Sequence, residues 1–75
     1  MDILKIKKEI DDNGVICLKD DFIEAAVRLE VVKGEARYFI KWKGKPEKQV
    51  EKSNALCFNI MLGGEKINKD EYYGY

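Results

Sequence analysis

Around a central Lys33-Gly34 pair, apolar and polar residues alternate from Glu24 to Lys43. A two-residue turn at that pair, with Gly34 supplying the positive φ that tight hairpins demand, fixes a cross-strand register. Val31 then faces Ala36, Leu29 faces Tyr38, Val27 faces Ile40 and Ala25 faces Trp42, all on one side. The other side sets Glu30 against Arg37, Arg28 against Phe39, Ala26 against Lys41 and Glu24 against Lys43. One register thus yields an apolar face and two opposite-charge pairs, and a slip of one residue destroys both. The competing pattern is a helix over Asp20 to Glu30, capped by Asp20 or Asp21, in which Glu24, Ala25 and Ala26 fit well.

The flanking segments carry weaker patterns. Leu4, Ile6 and Ile10 alternate with polar residues, and Asp11-Asp12-Asn13-Gly14 is a strong turn signal before the apolar run Val15 to Leu18. This predicts a second hairpin opening the chain, with Lys8 marking an edge strand. Lys43-Gly44-Lys45-Pro46 ends the central hairpin, since Pro46 cannot donate to a sheet ladder. A short helix is expected over residues 47–54. Ala55 to Leu62 is apolar except for Asn59 and suits a buried strand or the last turns of a helix equally. Gly63-Gly64 reads as a turn. Asn68 is placed to cap a final helical turn over Lys69 to Tyr73.

These elements predict a single domain over residues 1–75 that is mainly β, with α+β as the alternative. The expected architecture is a small antiparallel curled sheet or SH3-like barrel with one short helix. With 75 residues, such a chain leaves its stability marginal. Cys17 and Cys57 lie in apolar runs and are read as buried thiols rather than a disulfide. No apolar run reaches the ~18–20 residues of a membrane span, and the first residues lack a secretory pattern. The expected setting is the cytoplasm or the interior of a host cell, without membrane contact. Lys, Ile, Asn and Tyr are plentiful and His and Thr absent, a mix common in AT-rich bacterial and phage genomes.

The inventory weighs against catalysis. Without His there is no ordinary proton shuttle near neutral pH, and the single Ser, Ser53, has no neighbouring base. Two Cys without His cannot complete a four-ligand zinc site, and the carboxylate couples Asp11-Asp12 and Asp20-Asp21 have turn chemistry, not calcium-loop spacing. The chain is therefore expected to be non-enzymatic, with no cofactor and no metal.

Charge is balanced overall at 14 basic and 14 acidic residues but segregated along the chain. Residues 9–30 hold seven acids against Lys19 and Arg28, whereas residues 31–52 hold six Lys and Arg37 against three Glu. An acidic half and a basic half can dock with a partner or with a second copy. Trp42 stands among Lys41, Lys43 and Lys45, with Phe39 and Arg37 on the same strand, an arrangement suited to stacking and phosphate contact. Tyr72, Tyr73 and Tyr75 make the C-terminus rich in the residue most favoured at interfaces.

The stretch 31–47, VVKGEARYFIKWKGKPE, resembles the chromodomain family. Val31, Lys33, Gly34, Tyr38, Lys41, Trp42, Lys43, Gly44, Pro46 and Glu47 match the family's hairpin and following turn. The resemblance implies a curled sheet of SH3-like type and an aromatic cage for methylated lysine, with Trp42 as one wall and Phe22 as the upstream aromatic. Lys45 stands where a further aromatic is expected, and Val50 and Lys52 replace a Trp and a Pro. A lysine in such a cage repels a cation, so the resemblance bears on fold more than on ligand. The leading expectation is a small protein-binding module, an accessory or inhibitory factor from a bacterium, phage or mobile element. It would act through the hairpin edge, the Trp42 surface or the tyrosine tail. The alternatives are nucleic-acid binding by residues 33–52 and nucleic-acid mimicry by the acidic residues 9–30, inhibiting a nucleic-acid enzyme. A homodimer is compatible with each.

Overall fold

A computed structural model describes all 75 residues. The elements in order are α1 (Ile3–Asn13), β1 (Val15–Asp20), β2 (Ala25–Val32), β3 (Glu35–Trp42), β4 (Lys48–Val50), α2 (Ala55–Gly63), β5 (Glu65–Ile67) and α3 (Lys69–Tyr73). The strands form one sheet in the order β4-β3-β2-β1-β5, antiparallel throughout. The edge strands β4 and β5 do not meet, so the sheet is curled but open rather than closed into a barrel. Three helices pack on it, not one.

The central hairpin has the register read from the alternation, from Ala25 opposite Trp42 to Val31 opposite Ala36. Lys33 and Gly34 both take positive φ, 53° and 77°, as a mirror-image hairpin turn requires. The helical alternative for residues 20–30 is thereby excluded. The charge pairing differs in detail. Glu30 is opposite Arg37 across the ladder, but its ion pair is with Arg28 on its own strand. Glu24 and Lys43 meet through backbone, where the Lys43 N–H donates to the Glu24 carbonyl at 2.9 Å.

The first segment is a helix, not a strand. The Asp2 carboxylate accepts the Lys5 N–H at 3.0 Å and caps it. Ile6 is buried and Ile10 half-buried, one turn apart on one stripe, which a helix satisfies while Lys8 turns to solvent. Gly14, at φ 75°, donates to the Ile10 carbonyl at 2.8 Å. The turn signal at 11–14 is thus a left-handed helix C-cap. Residues 47–54 likewise hold β4, not a helix, because Val50 pairs with Tyr38. Asn54 instead caps α2 by accepting the Cys57 N–H at 2.9 Å, and Cys57, Ile60 and Met61 form its buried stripe. Asn68 caps α3 in the same way, through the Glu71 N–H at 2.8 Å.

Alternation along the strands gives the sheet two different faces. On one, Ile16, Leu18, Val27, Leu29 and Ile40 pack against Ile6 of α1 and Cys57, Ile60 and Met61 of α2. On the other, Cys17, Ala26 and Ile67 pack against Tyr72 of α3. Both cysteines are free and buried. No helix is long and apolar enough to cross a membrane.

Candidate functional site

The face covered by α3 is organised around Arg28. Its guanidinium lies 4.0 Å from the Phe39 ring centroid. It donates to both oxygens of Glu47, from Nε at 3.2 Å and Nη2 at 3.1 Å, and from Nη1 to Glu30. The Tyr72 hydroxyl adds a hydrogen bond to Glu47 Oε1 at 2.7 Å. Burial alone would push the Glu47 carboxyl up, but the hydrogen bonds from Arg28 and Tyr72 and the Arg28 charge outweigh it and hold it below its ordinary range. Burial and the bond to Glu47 push the Tyr72 phenol well up, so it stays a neutral donor. This constellation ties the 43–47 turn, β2 and α3 together, and its groups satisfy one another.

The residues singled out from the sequence are dispersed by this arrangement. Phe39 has Arg28 over one side of its ring, which removes that side from base stacking. Lys41 is buried on the same face, and Arg37 lies exposed farther along it. Tyr72 is fully buried and offers no free surface, because its ring is the lid of the smaller core. Tyr75 is pinned too: its hydroxyl donates to Asp21 Oδ1 at 2.9 Å, and its carbonyl accepts the Gly44 N–H at 2.8 Å. Of the three tail tyrosines only Tyr73 is largely open, at 52%. Trp42, 42% exposed, belongs to the opposite face of the sheet from Phe39, at the end of β3, with Lys43 and Lys45 in the exposed turn beyond it. The burial of Cys17 and Cys57 pushes both thiols up, which disfavours the reactive thiolate.

A different surface comes together between α1 and α2 over the hairpin end of the sheet. It is a groove of about 380 Å³ with nine hydrophobic residues among eleven. Ile3, Ile6 and Ile10 form one wall, Phe58 and Met61 the other, and Leu29, Val31, Ala36 and Tyr38 the floor. Ile3 is 60% exposed and Phe58 48%. Leu4 and Leu62 are further exposed apolar residues on the same two helices. The only charged lining residues are Lys7 and Lys52, and neither is among the molecule's four ion pairs. The groove has the volume of a binding cleft and two unneutralised cations at its edge. Reading the sequence missed it because it exists only once residues 3–13 and 55–63 are both helical. An apolar residue at 3 that breaks the alternation of 4, 6 and 10 was the available signal.

Compared with known proteins, the chain matches no family model, no curated protein and no solved structure.

Proposed function

We propose that this protein is a non-catalytic protein-binding module whose contact surface is the groove between α1 and α2. The observation that carries the reading is an apolar cleft, open in the folded chain, whose only charged lining residues are Lys7 and Lys52. Apolar surface that folding leaves in water and surrounds with one sign of charge is the signature of a contact site. The groove selects a polypeptide that offers apolar anchor side chains flanked by carboxylates. Anchors gain by leaving water, and the acids pair with the two lysines, giving orientation and a faster encounter. The same lysines disfavour a basic segment.

Calorimetric titration with two synthetic peptides tests this. Both are amphipathic helices about four turns long with Leu and Phe on one side. One has Glu on the flanks of that side, the other Lys. The acidic peptide binds, the basic one does not, and Phe58→Glu abolishes the first interaction while Trp42→Ala leaves it unchanged. Equal binding of the two peptides, or loss of binding only in Trp42→Ala, contradicts the assignment. Tight, steeply salt-dependent binding of an oligonucleotide with no peptide binding would instead support the basic strip of residues 33–52.

A further inference from the structure

The β1–β2 loop presents Phe22 to solvent at 96% exposure, more than any other large hydrophobic side chain in the chain. A floppy loop could retract such a ring; this one is held in shape. Asp20 Oδ1 accepts the Phe22 N–H at 3.0 Å. Asp21 is gripped by Lys19 Nζ at 3.0 Å and by the Tyr75 hydroxyl. Glu24 sits in the left-handed region at φ 55°, and its carbonyl accepts the Lys43 N–H. A strained backbone fixed by four contacts holds an aromatic outward, flanked by Asp20, Asp21 and Glu24. Its ordering is complete before any contact forms, which lowers the entropic cost of docking.

We infer that the Phe22 loop of one copy docks in the α1–α2 groove of a second copy. This rests on the groove reading above and names the partner. The complementarity is in both shape and charge: a protruding ring beside Asp20 and Glu24, neither of them in an ion pair, matches an apolar cleft edged by Lys7 and Lys52. Knob and groove cannot meet within one chain. The loop precedes Ala25 at one end of β2, while the groove floor holds Leu29 and Val31 toward the other, up to six residues or ~20 Å along the strand. The contact therefore joins separate copies, either as a reciprocal two-fold dimer with each knob in the other's groove or head to tail.

Sedimentation velocity on the full chain tests this across about 10 μM to 1 mM, where a small interface associates. Phe22→Ala removes the knob, and Phe58→Glu blocks the groove with like charge. Both positions are surface-exposed, and circular dichroism with thermal melting verifies the fold of each. The wild type sediments faster as concentration rises and less so in high salt, while each variant alone stays monomeric. An equimolar mixture of the two variants forms a 1:1 heterodimer and nothing larger, because one intact knob meets one intact groove. A monomeric wild type over the whole range, association retained in Phe22→Ala, or no rescue in the mixture would overturn the inference. The peptide titration separates the two levels. If the wild type is monomeric yet binds the acidic peptide, the groove stands and the self-docking falls; if it does neither, both fall.

Discussion

On one face of the sheet Leu18, Val27 and Ile60 lie wholly buried in an aliphatic layer under two helices. On the other, Arg28, Glu47, Tyr72 and Phe39 hold a five-residue helix down through directed contacts. The aliphatic layer is non-directional: it tolerates two helices that do not close on each other, and the gap between them is the groove. The polar assembly is directional and closes fully, leaving no unsatisfied buried side-chain group. An element fastened by burial alone can expose surplus apolar surface, whereas one fastened by mutually satisfied charges has little left to offer a partner. This is why the binding surface is assigned to the aliphatic side, although the charged side is richer in chemistry.

The contrast can be broken by substitutions ranked by expected effect. Leu18→Ala, at the centre of the aliphatic layer, should cost about 3–4 kcal/mol in urea denaturation. Against a total stability of roughly 4–11 kcal/mol for a chain of this length, that is a large share. Glu47→Ala should cost about 2 kcal/mol, because it leaves the buried guanidinium with Glu30 alone and takes the acceptor from the Tyr72 hydroxyl. The sharper version is a double-mutant cycle: Arg28→Met with Glu47→Leu should cost clearly less than the two single changes added together. Additive losses would show that the two side chains are not coupled. Tyr72→Phe, which removes only the hydroxyl donating to Glu47, should cost about 1.5 kcal/mol. Phe58→Glu, in the groove, should cost only about 1 kcal/mol, because that side chain is 48% exposed, while removing peptide binding.

Acid sharpens the same comparison. Glu47 is held below its ordinary value of 4.5, so its contribution is fully present above that value and is lost as pH falls through the lower folded one. Wild type should lose stability below about pH 4.5 through this group, and Glu47→Gln should lack that part of the decline. Coincident acid profiles for the two proteins would show that Glu47 contributes nothing to it.

The central hairpin was legible because two independent constraints agree on it, alternation over sixteen strand residues and a glycine able to take positive φ at the reversal. The N-terminal helix was not. Leu4, Ile6 and Ile10 fall on even positions that satisfy a strand period, while Ile6 and Ile10 also satisfy a helical one. Gly14 deepened the ambiguity, since a left-handed residue ends a helix as readily as it turns a hairpin. Ala55 to Leu62, apolar but for Asn59, carries no clear period; the Asn54 cap decides it. The site was less legible than the fold. Aromatic and cationic residues of one stretch drew attention to Trp42, Phe39 and Lys41, but alternation sends neighbours in a strand to opposite faces. Arg28 faces Phe39 in the register read from the sequence, yet its capture of Glu47, nineteen positions on, needs the intervening chain to be folded.

Chemical-shift mapping of methyl groups during titration with the acidic peptide examines the two faces at once. Shifts are expected at Ile3, Ile10 and Val31 along the groove, with Ala26 and Ile67 beneath α3 unmoved. Shifts centred on Ala26 and Ile67, with the groove methyls silent, would place the contact on the charged face and contradict the groove assignment.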